Sequence, residues 1–120
     1  EQSGAIINIA SVLGTSVQKG TGAYCPSKAG LLQLTRQMAL EWARFKVRVN
    51  AISPGYYHTD IAASYLDSEA GKALLRRIPA RRLGEAREMD AALLMLCSSA
   101  SSYMTGSAVN VDGGLSLPIV

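Results

Sequence analysis

Apolar residues fall along the chain in two alternating patterns, short buried runs and longer helical stripes. Ala5 to Ala10 is a run of β-branched and small residues bounded by Gly4 and Ser11, which reads as a buried strand. Leu13 to Ala23, with Gly14, Gly20 and Gly22 among threonines and serines, reads as a loop. From Ser27 to Phe45, positions at ~100° intervals place Leu31, Leu34, Met38, Trp42 and Phe45 on one stripe, with Leu32, Ala39 and Ala43 beside it. Such a wide apolar arc predicts two neighbours, a sheet on one side and another helix on the other.

Val47 to Ile52 alternates toward a second strand that stops at Ser53-Pro54-Gly55, where proline and glycine oppose further pairing. Thr59 to Arg77 reads as a flexible or weakly helical insertion, since Gly71 interrupts any helix there. Glu85 to Cys97 predicts an amphipathic helix with Met89, Ala92, Leu93 and Leu96 at helical spacing, and Ser107 to Val111 a last strand closed by Asp112-Gly113-Gly114. Strand, helix, strand, helix, strand with long crossovers implies parallel pairing and right-handed connections, hence an α/β sheet.

Composition narrows the classes without naming one. A chain of 120 residues with 48% hydrophobic content holds one core rather than two. The net charge of +3 carries no basic run beyond the pairs Arg76-Arg77 and Arg81-Arg82, which predicts a solvated face and no nucleic-acid partner. Cys25 and Cys97 stand far apart with no CxxC pattern or histidine cluster, so neither a disulfide framework nor a metal site is expected, and reduced thiols fit a cytoplasmic protein. No stretch has the length and apolarity of a membrane span.

Ligands of an open parallel sheet collect beyond the carboxyl ends of its strands, where three polar clusters fall: Ser11, Pro54 to Thr59, and Asp112 to Gly114. Tyr24 and Lys28, four residues apart at a helix N-terminus, share one helical face. A neighbouring ammonium and the positive end of a helix both favour the phenolate form of a tyrosine. With a serine hydroxyl in the same crevice, such a pair suits proton transfer to a carbonyl oxygen. Singly, a Tyr and Lys at this spacing make a surface pair, and a serine after a strand caps a turn. His58, beside Thr59 and Asp60, raises a serine hydrolase as a competing reading, but no serine sits in a GxSxG elbow.

In combination these residues resemble the short-chain dehydrogenase/reductase family over essentially the whole chain. Ile7-Asn8-Ile9-Ala10-Ser11 is similar to the strand leading to the family's serine, and Tyr24-Cys25-Pro26-Ser27-Lys28 to its YxxxK signature, with Ser11 thirteen positions before the tyrosine. Arg48 to Gly55 resembles the next strand and its Pro-Gly turn, and Thr59 the threonine that contacts the cofactor; Tyr57 stands where an aliphatic residue is usual. Tyr103 to Gly106 and Val111 to Gly114 resemble the closing loop and last strand.

The resemblance implies the C-terminal part of a Rossmann-like, doubly wound parallel sheet, with residues 1–120 forming the C-terminal half of a single domain. It implies an NAD- or NADP-dependent enzyme interconverting a carbonyl and a secondary alcohol. Tyr24 would be the general acid/base, Ser11 would orient the substrate carbonyl, and Lys28 would hold the nicotinamide ribose. Pro54, Gly55, Tyr57 and Thr59, with Tyr24 and Lys28, would line the cofactor. The broad arc of the helix after Tyr24 would be buried in a homodimer or homotetramer. The family's opening glycine-rich turn has no counterpart here, since Gly20-Thr21-Gly22 lacks a third glycine and a preceding strand. That predicts poor cofactor binding by these residues alone, and keeps open a non-catalytic oligomerisation or binding fragment of the same fold.

Overall fold

The computed structural model describes residues 3–60 and 62–118. Three strands form one sheet: β1 (Gly4–Ile9), β2 (Val47–Pro54) and β3 (Ala108–Val111), in that order and parallel throughout. The register runs from Gly4 opposite Val47 to Ile9 opposite Ile52, and from Ala51 opposite Ala108 to Pro54 opposite Val111. Parallel strands need long crossovers, supplied by α1 (Tyr24–Trp42) between β1 and β2 and by α4 (Asp90–Cys97) between β2 and β3.

The middle strand carries the core. Val49 to Ser53 of β2 are all buried, as expected of a strand covered on both faces. Asn50 lies at its centre with both ends of its amide satisfied: Nδ2 donates to the Met104 carbonyl at 2.9 Å, and Oδ1 accepts from the Ser107 N–H at 3.0 Å. A buried amide is tolerated when fully bonded, and this one fixes the approach to β3.

The helical stripe read from the sequence is only partly the packed face. Leu31, Met38 and Trp42 are half-buried, but Leu34 and Phe45 are exposed, and the most buried positions of α1 are Cys25, Thr35 and Ala39. Hydrophobicity could not place Thr35 inside. It is there because its hydroxyl donates to the Leu31 carbonyl at 2.8 Å and accepts from Asn8 Nδ2 of β1 at 2.9 Å. The helix starts at Tyr24 rather than Ser27, and ends in a tight turn at Ala43–Phe45 closed by Lys46, whose φ of 59° swings the chain into β2.

The segment expected to be flexible or weakly helical forms two short helices, α2 (Ala62–Leu66) and α3 (Glu69–Arg77). Ser68 caps α3 by accepting from the Gly71 N–H at 3.1 Å. Gly71, taken from the sequence as a helix breaker, is buried where a Cβ would overlap the Tyr65 carbonyl. It is the contact point of the two helices. The helix expected from Glu85 is also shorter: Ala86–Met89 is a tighter turn closed by a reciprocal cap between Glu85 and Glu88, and α4 begins at Asp90. Of its apolar residues only Leu96 is fully buried, and Leu93, expected inward, is exposed. The guanidinium of Arg82 grips Glu88 through two bonds of 2.7 Å. Cys25 and Cys97 are free thiols. Among the described residues no helix is long and apolar enough to cross a membrane, and no cluster of metal-ligating side chains occurs.

Two substitutions separate packing from helix propensity. Gly71→Ala should lower unfolding free energy by about 1–3 kcal/mol through overpacking, whereas Gly30→Ala, mid-helix with open space around it, should raise it by up to about 1 kcal/mol; urea unfolding checks both. Hydrogen bonds from Arg82 and the Glu85 N–H hold the Glu88 carboxyl down, from 4.5 to about 2. A folded-state value below the unfolded one stabilises above the unfolded value and is lost as pH falls toward the folded one. Thermal unfolding of Glu88→Gln should therefore differ most from the parent above pH 4.5, and the difference should fade as pH drops to about 2.

Candidate active site

Three loops meet at the carboxyl ends of the strands. Ser11, two residues past β1, is buried in extended conformation and caps the turn Val12–Gly14, its Oγ accepting from the Leu13 N–H at 3.1 Å. That bond uses a lone pair and leaves the hydroxyl proton for another acceptor. Gly14 packs this turn onto α1: a Cβ would lie 3.1 Å from the Lys28 carbonyl and closer still to the Leu32 side chain.

Tyr24 is the first residue of α1, about half exposed at 46%. Lys28 follows one turn later with its Nζ 5.7 Å from the centre of the Tyr24 ring. The same ammonium donates to the Ile9 carbonyl, the last residue of β1, at 3.0 Å. The end of the strand and the start of the helix are thus joined by the residue that flanks the tyrosine.

Ser11 and Tyr24 line one cleft of about 410 Å³. Gly55 and Tyr56 close it from the end of β2, and Tyr65 of α2 and Leu74 of α3 from above. Pro54 ends β2 opposite Val111, and Gly55 follows with its N–H on the Val111 carbonyl at 3.1 Å.

Tyr57 and Thr59, expected near the cofactor, do not line this cleft. The Tyr57 phenol donates to the Val111 carbonyl at 2.7 Å, and its backbone bridges to Gly84. Burial, then the charges of Glu88 and Asp112, push that phenol above its ordinary value of 10.0, so it stays a donor. Thr59 is exposed beyond it. His58 stands 3.6 Å from Glu85 on the exposed surface, outside the cleft, and assembles no hydrolase triad with Ser11. Asp112 is a structural acid. Burial opposes its ionisation, but bonds from Ser116 and the Gly114 N–H outweigh that and keep its carboxyl below the usual value.

Sequence reasoning missed Tyr56, Gln18, Thr21, Tyr65 and Leu74, all of which line the cleft. Neighbouring residues of an extended segment point to opposite sides, so only one of Tyr56 and Tyr57 can face the cleft, and nothing in their chemistry says which. Tyr65 and Leu74 were hidden because the helices that carry them have no long periodic stripe.

Parallel strands with a serine, a tyrosine and a lysine gathered at their carboxyl ends define a Rossmann-like α/β protein with a polar crevice where such sheets collect their ligands. The family model described as enoyl-(acyl carrier protein) reductase matches residues 1–116, and the chain belongs to the short-chain dehydrogenase/reductase family. It is 39% identical over 115 residues to the 3-oxoacyl-(acyl-carrier-protein) reductase of Vibrio cholerae, covering 96% of this chain and 47% of that protein. A solved gluconate 5-dehydrogenase from Burkholderia cenocepacia, in complex with NADP and tartrate, superposes with a TM-score of 0.91 at 34% identity, over 98% of this chain and 47% of that one. A short-chain type dehydrogenase/reductase from Mycobacterium marinum gives 0.87 at 40% identity, over 97% of this chain and 46% of that one. The chain spans about half the length of the curated relatives it matches.

Proposed function

We propose that this chain carries the catalytic half of an NAD- or NADP-dependent oxidoreductase that interconverts a carbonyl compound and a secondary alcohol. The observation behind this is that Ser11 and Tyr24 face one cleft while Lys28, beside Tyr24, is anchored on the Ile9 carbonyl. The relatives named above are reductases and dehydrogenases, one of them solved with NADP.

The residues fit a nicotinamide cofactor through Lys28. One ammonium proton is spent on Ile9 and two remain for ribose hydroxyls, at the open crevice beside Tyr24. Gly55 would approach the same group from β2. When bound, the cofactor supplies or accepts the hydride. Ser11 donates its free hydroxyl proton to the substrate oxygen, while its bond from Leu13 keeps Oγ in place. Tyr24 gives its phenolic proton to that oxygen as the carbonyl is reduced and takes it back in the reverse direction; its exposure lets water return the proton.

Residues 1–120 would act as the C-terminal half of a single domain, the other half contributing the dinucleotide phosphate site. The exposed Leu34 and Leu40 of α1, with Phe45 of the turn that follows it, support burial of that helix in a homodimer or homotetramer. The two free thiols support a cytoplasmic protein. The assembled cleft favours catalysis over a purely structural role for the cluster.

In the full-length protein containing this chain, Tyr24→Phe should cut NAD(P)H-dependent reduction of 2,3-butanedione by roughly 10²–10⁴-fold with the fold intact by circular dichroism. Reduction within about threefold of the parent would remove Tyr24 as the acid/base.

A further inference from the structure

The cleft has a wall that neither the fold nor the proposed chemistry requires. Tyr56, just past β2, donates its phenolic proton to Gln18 Oε1, in the loop after β1, at 2.6 Å across 38 positions of sequence. Both side chains line the cleft that holds Ser11 and Tyr24, and both also line an adjoining recess of about 50 Å³ that contains Arg77 and Leu115. Val12, Leu13 and Leu74 border both spaces as well, and the hydrogen-bonded pair is the polar part of that shared border. Thr21 steadies the Gln18 backbone by donating to its carbonyl at 2.7 Å.

The direction of the bond decides what Gln18 offers. Burial, then the neighbouring Tyr65, raises the Tyr56 phenol above its ordinary value of 10.0, so it is a neutral donor at physiological pH. The amide oxygen of Gln18 is occupied by that donor, and its NH₂ has no side-chain or backbone acceptor among the described residues. An amide pinned at its oxygen end presents two protons in a fixed direction.

From this we propose that Gln18, oriented by Tyr56, is a specificity-determining residue that selects carbonyl substrates bearing a hydroxyl or other oxygen next to the reacting carbon. The proposal rests on the carbonyl-reducing reading of Ser11, Tyr24 and Lys28. Gln18 binds the second oxygen; Tyr56 is a positioning residue that acts through Gln18. An oriented donor favours the ligand that carries a matching oxygen over the analogue lacking it; Gln18 is exposed, so water takes that place when the oxygen is absent and the preference is worth one net hydrogen bond, up to about tenfold.

The test compares 3-hydroxy-2-butanone with 2-butanone, equal in carbon skeleton and different by one hydroxyl, in the full-length protein. The parent should favour the hydroxyketone in kcat/KM, and Gln18→Leu and Tyr56→Phe should each lower that ratio by about tenfold, a loss of the size expected for a bond to an oriented amide. Loss of overall stability would slow both ketones together and leave the ratio alone. A parent without preference, or a ratio that stays within about twofold in both variants, overturns the proposal. A parent that reduces 2,3-butanedione in a Tyr24-dependent way but neither test ketone overturns this substrate class alone; Tyr24→Phe retaining full activity overturns the chemistry beneath it.

Discussion

The bond from the Lys28 ammonium to the Ile9 carbonyl is the constraint on which the rest of the cleft depends. A charged donor on a backbone carbonyl is among the stronger hydrogen bonds of a folded chain, and this one joins the last residue of β1 to the second turn of α1 at 3.0 Å. It fixes how α1 leaves the sheet. Tyr24, one turn earlier on the same face, is thereby fixed relative to Ser11, which follows Ile9 by two residues. The lysine is held within the protein before any ligand arrives, and retains protons with which to meet one.

Behind that bond the sheet sets the distances. Ile9 pairs with Ile52, and the Ala10 N–H continues the ladder to the Ile52 carbonyl at 2.8 Å, so the serine loop and the Pro54-Gly55 turn leave the sheet side by side. The buried Asn50 and Thr35 tie this frame to the loop before β3 and to α1. Polar residues do this work because each is fully bonded where it lies, and such bonds specify one arrangement where apolar contacts would accept several.

The strands, the long helix and the Ser11, Tyr24 and Lys28 cluster were legible in the sequence because each carries a strong local signal: β-branched runs, helical periodicity, and hydroxyl, phenol and ammonium at fixed intervals. What the sequence hid was tertiary. Gly71 reads as a breaker by propensity, yet it is the one residue that lets α3 meet the Tyr65 carbonyl. Thr35 reads as polar and lies inside, satisfied by Asn8 and Leu31. Tyr57 carries the chemistry of a ligand contact, but its phenol is spent on β3, while Tyr56 beside it faces the cleft. Composition is blind to such choices, since they depend on which neighbour arrives from elsewhere in the chain.

The measurement that bears most directly on the account is a crystal structure of the full-length protein with a nicotinamide cofactor and a bound ketone or alcohol. The account predicts that the ligand oxygen lies within about 3.2 Å of both Ser11 Oγ and the Tyr24 hydroxyl, with Lys28 still on the Ile9 carbonyl. A ligand oxygen out of reach of both hydroxyls, or a lysine released from Ile9 in the complex, would contradict it.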